Sequence, residues 1–388
     1  MRLTLTDEQH DLADMLQRLF ADHCPSALVR AVKQQRSPGV LDSLWAALAQ
    51  VGAFGLGVQP DSGGAGGSVF DAGLLFRQGG RVLCPPIVYQ SVLFGLSIER
   101  LGTAAQRRAY LDPLLAGQLR ATSAIADPDD GIGSRARLTA EPVAGGWILS
   151  GELRFVESAG WSELAVVCAD VGAHSQPGLD QEQAFVVHLD SPGLTAQTNH
   201  LISGDHTSDL TFDRVFVPEA DVLAGQRSGQ PIGADLCWLR HLAVALQCME
   251  MVGGAEAVLE RTVEHVQTRH QFGRPIGSFQ AVQHIVADMR ISLDTARLPA
   301  YRATWLCGRE PRPTVAVARA KMLCGETYKF LTWSAHQLHG GMGFIRETDL
   351  HLWSERAKLT DLQLGSPDVA SGWLETELGL AASRSRPV

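Results

Sequence analysis

Residues 264–290, EHVQTRHQFGRPIGSFQAVQHIVADMR, and a later segment, AHQLHGGMGF at 335–344, decide how this chain reads. The first carries Arg-x-x-Phe-Gly as Arg269, Phe272 and Gly273; the second carries Gln-x-x-Gly-Gly as Gln337, Gly340 and Gly341. The planar guanidinium of Arg269 suits bidentate pairing with a pyrophosphate. Glycines at 340, 341 and 343 let backbone approach a phosphate with no Cβ in the way. HGGMG alone would be a weak signal, because Gly-rich turns are common. With Arg-x-x-Phe-Gly and FQAVQH (279–284) ahead of it in this order and spacing, the signal is strong. Helical periodicity flanks the motif: Ala255, Val258, Leu259, Thr262, Val263 and Val266 share one face before it, and Phe279, Val282, Val286, Met289 and Leu293 share one after it.

Outward from these helices the texture changes twice. Residues 1–120 read as helical, with Thr6 an N-cap before Asp7 and Glu8, and Leu12, Met15, Leu16, Leu19 and Phe20 recurring at helical spacing. A second helix runs through Leu41, Trp45 and Leu48, and a third spans about 69–82. The glycine-rich QPDSGGAGGSVFD between them lacks the Lys-Ser/Thr of a phosphate loop and reads as a flexible connector. Residues 121–232 carry strand-like runs, WILSGELRFV, LAVVCADV, AFVVHLD and DLTFDRVFVP, with a polar loop at 172–183. From 233 to 388 the helical period returns. The expected fold is α+β: an N-terminal helical domain (1–120), a middle β-barrel or sandwich domain (121–232) and a C-terminal four-helix bundle (233–388).

Composition narrows the class. The 388 residues are 45% hydrophobic and 19% charged, enough to bury large cores. A net charge of −9 argues against a nucleic-acid partner. No run approaches the ~18 uninterrupted apolar residues of a membrane span. MRLTLTDEQHDLADML shows no leader, so a cytoplasmic location is expected. Cys24, Cys84, Cys168, Cys237, Cys248, Cys307 and Cys324 are scattered without a C-x-x-C pair, as reduced thiols would be. His336 and His339 have ligand spacing but lie inside the glycine motif, without acidic or thiol companions, so no metal is expected.

The ordered motifs and the helical–β–helical plan resemble the acyl-CoA dehydrogenase family over essentially the whole chain. The resemblance implies that Arg269, Phe272, Gln337, Gly340 and Gly341 hold the pyrophosphate and adenosine of FAD bound to a neighbouring subunit. It implies α,β-dehydrogenation of an acyl-CoA: a carboxylate removes the α-proton, the flavin takes the β-hydrogen, and electrons pass to an electron-transfer flavoprotein. Hydrogen bonds to the thioester carbonyl must stabilise the developing negative charge.

Against this pattern the chain departs at four places. Leu364 in LQLGSPD stands where the resemblance implies the catalytic glutamate, and leucine cannot take a proton. The alternative family position, on the helix before Arg-x-x-Phe-Gly, falls at Ala243, followed by Val244 where an arginine is usual; Glu250, further on, reads as a structural helix residue. Ala126, Asp127 and Pro128 replace the family's Thr-Glu-Pro, and Phe155, Val156 and Glu157 replace its Trp-Ile-Thr. An ionised Glu157 would oppose negative charge on a reduced flavin, so it is expected to be a solvent-facing strand residue in an emptied cleft. Asp361 and Asp368, a turn either side of Leu364, remain as weak candidate bases.

The leading expectation is a base-lacking subunit of a hetero-oligomeric, FAD-dependent acyl-CoA dehydrogenase whose partner chain supplies the glutamate. HQLHGGMGF and LQLGSPD are similar to segments of such degenerate chains in actinobacterial systems, several of which act on bulky or steroid-derived CoA thioesters. Two alternatives stay open. One is a homo-oligomeric dehydrogenase with a relocated base; the other is a flavin monooxygenase or non-catalytic binding protein on the same scaffold.

Overall fold

Thr6 caps the first helix through a reciprocal bond with Gln9, and the face it fixes buries Ala13, Leu16, Leu19 and Phe20. The structure, a computed structural model, describes residues 4–34, 37–172, 181–201, 203–223 and 232–380. Seven helices come first: α1 (Asp7–His23), α2 (Ser26–Gln34), α3 (Asp42–Gln50), α4 (Val69–Arg81), α5 (Pro86–Leu101), α6 (Ala104–Gln106) and α7 (Asp112–Leu115). The glycine-rich connector is tied down, with Gly57 N donating to Gly66 O and Ala65 N to Gly55 O. Most of the polar loop expected at 172–183 lies outside the described residues.

The middle of the chain forms β1 (Ala121–Ala124), β2 (Leu138–Val143), β3 (Gly146–Glu157), β4 (Leu164–Asp170), β5 (Glu182–His188), β6 (Leu194–His200), β7 (His206–Pro218) and β8 (Val222–Leu223). They make one sheet in the order β6-β7-β3-β2-β4-β5-β8, with β1 parallel beside β4. β4 shows how the sheet is seated. Ala165, Val167 and Ala169 join the sheet's own core with Leu149, Phe185 and Leu210, while Leu164, Val166 and Cys168 turn to the large core shared with the helices. A strand covered on both faces reads as the continuous apolar run it is.

The C-terminal part holds α8 (Gly233–Thr268), a hairpin of β9 (His270–Gln271) and β10 (Arg274–Pro275), then α9 (Gln280–Cys307), α10 (Thr314–His339), α11 (Leu350–Leu362) and α12 (Pro367–Glu377). α8 is long and apolar enough to cross a membrane, but that window is wholly buried inside the molecule, so it is the core helix. Glycines let α4 cross it closely: a Cβ on Gly80 would lie 2.1 Å from Glu250 O, and one on Gly253 1.8 Å from Arg77 O. The crossing sets the Arg77–Glu256 ion pair, Nε to Oε2 at 2.9 Å.

Candidate functional site

Where the sheet meets the helices lies a cleft of about 680 Å³, its mouth included. Its walls bring together Gln90 from α5, Ala126–Pro128 after β1, Phe155–Glu157 at the end of β3, Arg240 from α8, and Gln363 and Leu364 after α11. Three of the four departures read from the sequence thus meet on its wall, at Ala126, Glu157 and Leu364. Ala243 and Val244 are buried deeper in α8 and do not line it.

Glu157 lies in the cleft as expected, but its carboxylate is bonded across it rather than turned to solvent. Its carboxylate is half-buried and accepts from Gln90 Nε2 at 2.5 Å and from Gln363 Nε2 at 2.9 Å. The side chain is aimed there because β3 slips register against β7 between Leu153 and Val156, and Phe155 there has φ 52°. A bulge of this kind re-aims every side chain after it. Two amide donors, one on each carboxylate oxygen, fix the side chain across the cleft. Gln90 sits in no recognisable motif, and Gln363 lies inside LQLGSPD, where only Leu364 stands out by residue type.

The Leu364 turn is held from several sides. Leu364 itself has φ 55° and is half-buried. Gly365 N donates to Pro128 O at 3.2 Å, and a Cβ on Gly131 would stand 2.1 Å from Leu364 O. Behind the turn, the fully buried Lys321 donates to Gln247 Oε1 at 2.6 Å, Thr360 O at 2.7 Å and Gln363 O at 2.5 Å. Three acceptors satisfy the ammonium, yet burial still pushes its pKa down to about 8.

The other acids near the turn are committed elsewhere. Asp361 is buried and pairs with Lys329 Nζ at 2.7 Å, and Asp368 is exposed in the first turn of α12; neither lines the cleft. Glu250 is buried against Arg356, whose Nη2 lies 2.6 Å from its Oε1 and whose Nη1 lies 3.3 Å from Asp205 Oδ1. Burial pushes Glu250 up to about 7 despite the guanidinium. Its place in this network is structural.

The Arg-x-x-Phe-Gly and Gln-x-x-Gly-Gly segments lie at one end of the bundle. Arg269 is the exposed C-cap of α8, and Phe272 (φ 54°) and Gly273 (φ 80°) make the two-residue hairpin turn that follows. Paired positive φ values are what a tight hairpin needs. His265, one turn before Arg269, stacks on His339, beside Gly340, with ring centroids 4.1 Å apart, which ties the two segments together. Gln337, Gly340 and Gly341 are exposed, and a Cβ built on either glycine would meet nothing within 4 Å. Gly340 ends α10 at φ 60°, ψ −139°, a conformation open to glycine. Gly341 has no neighbour among the described residues that demands a glycine. Around them Phe272 is 91% exposed, Phe344 73%, Trp333 70% and Met342 47%. His336 bonds Ser354 Oγ through Nε2 at 2.5 Å, and the described residues contain no group of metal-ligating side chains.

Known proteins match this architecture end to end. The N-terminal domain of acyl-CoA dehydrogenases matches residues 6–118 and the C-terminal domain residues 242–374. The CarC subunit of the caffeyl-CoA reductase–Etf complex of Acetobacterium woodii is 29% identical over 309 residues, 77% of this chain and 80% of CarC. Among solved structures, the Tcur3481–Tcur3483 steroid ACAD superposes with TM-score 0.85 and 28% identity, over 98% of this chain and 100% of that one. The ChsE4–ChsE5 complex of Mycobacterium tuberculosis shares the fold at TM-score 0.85 and 23% identity, over 100% of each chain. With both helical domains matched and the sheet domain set between them, this chain belongs to the acyl-CoA dehydrogenase family, FAD-using oxidoreductases that act on CH–CH bonds.

Proposed function

We propose that this chain is the base-lacking partner subunit of a hetero-oligomeric acyl-CoA dehydrogenase, completing an FAD site whose catalytic glutamate belongs to another chain. The single observation that carries the reading is Leu364 on the wall of the cleft, with no other free carboxylate beside it among the described residues. Asp127 there pairs with Arg137, and Glu157 is held by two glutamines.

The residues fit FAD in one half of the site and not in the other. At the bundle end, Arg269 offers an exposed guanidinium and Gly340–Gly341 an unobstructed backbone, which suits a pyrophosphate arriving from outside the chain. Gln337 supplies an amide for the adenosine, and Phe272 an apolar edge. In the cleft, the family's threonine hydroxyl is lost at Ala126, and a carboxylate occupies the wall at Glu157. When bound, FAD would supply the acceptor for the β-hydrogen. Arg269, Gln337 and Gly340–Gly341 would hold its dinucleotide, and the aromatic-rich surface around them would exclude water. Exposed apolar area of that kind marks an interaction site.

The partner is a second family member that retains the glutamate. The reaction is α,β-dehydrogenation of an acyl-CoA, with electrons leaving to an electron-transfer flavoprotein, as the Etf-complexed CarC suggests by analogy. The two-component Tcur3481–Tcur3483 and ChsE4–ChsE5 pairs support the assembly, and the former favours a bulky, steroid-like acyl group. Flavin content per polypeptide tests the proposal. Little flavin on the chain alone, rising to one for each pair of chains with the partner, is the expected result. A full complement on the chain alone would overturn it.

A further inference from the structure

We propose that Glu157 is a built-in plug, locked across the cleft by Gln90 and Gln363, that keeps a flavin ring out of this chain's own site. This rests on the partner-subunit reading and names the side chain that enforces it.

The plug links all three parts of the fold. Gln90 projects from α5, Glu157 ends β3, and Gln363 follows α11, and all three line the same cleft. The two carboxylate oxygens are engaged separately: Oε2 by Gln90 Nε2 at 2.5 Å and Oε1 by Gln363 Nε2 at 2.9 Å. An amide–carboxylate–amide strut therefore runs from one wall to the other. Its far end is anchored, because Gln363 O accepts from the buried Lys321 and Gly365 N is fixed on Pro128 O. The near end is anchored by the sheet: Glu157 pairs with Thr207 on β7, and Glu157 O accepts from Thr122 Oγ1 at 2.7 Å.

A planar ring entering the cleft must break both amide bonds and leave the carboxylate facing it. That carboxylate also opposes the negative charge a flavin gains on reduction. The walls, by contrast, keep features of a ligand site. Gln90 Oε1 and Ser123 Oγ are buried there without a hydrogen-bond partner among the described residues. An unpaired acceptor and an unpaired hydroxyl suit the mixed donor and acceptor edge of a flavin's pyrimidine ring. The cleft is therefore shut by one strut rather than filled in, and removing the strut should reopen it.

Lumiflavin, the ring without its ribityl phosphate, isolates this step because it needs nothing from a neighbour's dinucleotide clamp. Its binding is measured by equilibrium dialysis and fluorescence quenching on the full chain expressed alone. The panel is wild type, Glu157→Thr, Glu157→Ala and Gln363→Ala, each checked for a wild-type circular dichroism spectrum. Gln363→Ala leaves Glu157 in place and only frees it to swing aside, which guards against a Glu157 variant that does not fold. The expected result is no measurable binding to wild type and at least about tenfold tighter binding to the folded variants. Exclusion of lumiflavin from every folded variant, while the co-expressed pair still carries one FAD for two chains, would overturn the plug and leave the partner reading standing. Wild type alone carrying one flavin per chain would overturn both.

Discussion

The inner cleft and the outer clamp treat their polar groups in opposite ways. In the cleft and behind its Leu364 turn, Glu157 bonds Gln90 and Gln363, and Lys321 bonds Gln247 and the backbone of the turn. At the bundle end, Arg269, Gln337 and Gly341 stand exposed, with Phe272 and Phe344 beside them, while Gly340 N bonds back to the last turn of α10. A closed interior network supports the fold of this chain. On the proposed reading, the exposed polar groups beside those aromatics are where a second molecule would bind.

If that contrast is real, variants in the two regions must fail differently. The largest stability effect is expected at Arg356→Ala, which strands the buried Glu250 carboxylate and takes a partner from the part-buried Asp205. Removing one partner of a buried charge pair costs roughly 3–5 kcal/mol, and urea unfolding of the isolated chain would measure it. A loss below about 1 kcal/mol would mean that the network behaves like a surface ion pair.

Next comes Lys321, whose folded pKa, about 8, lies below its ordinary value of 10.5. A depressed ammonium contributes stability that is full above the unfolded value and is lost as pH falls through the folded one. Relative to Lys321→Met, the wild-type chain should therefore gain up to about 3 kcal/mol as pH rises from near 8 to near 10.5. Parallel urea titrations across that window, with no difference between the two proteins, would remove the strained ammonium from the account.

The smallest effect on the chain itself belongs to the clamp. Arg269→Ala should change stability by no more than about 0.5 kcal/mol, as exposed positions do. In the assembled pair the same substitution should cost roughly 1.5–3 kcal/mol of FAD affinity, the worth of a charged hydrogen bond. Flavin retained on gel filtration reads it directly. Unchanged retention would place the dinucleotide elsewhere and dissolve the contrast between the regions.

Much of this was legible before any coordinates. The helical periods, the strand runs of β3, β4, β5 and β7, and the ordered Arg-x-x-Phe-Gly and Gln-x-x-Gly-Gly segments are local patterns, readable within a few turns of chain. So is the leucine at 364, because identity at a counted position needs no packing. The strand β6 was not read, since its largely exposed LTAQTNH offers no apolar alternation. The flexible connector turned out to be hydrogen-bonded through its backbone, which side-chain composition does not report.

Sequence by itself therefore determined the family, the three-part plan and the absence of a base at Leu364, each carried by residue type at short range. Tertiary structure alone decided where Glu157 points. The bulge before it reverses the strand's faces, and its partners Gln90 and Gln363 lie 67 and 206 residues away along the chain. A hydrogen bond between such distant residues leaves no periodic trace, because only the folded backbone brings its two ends within reach.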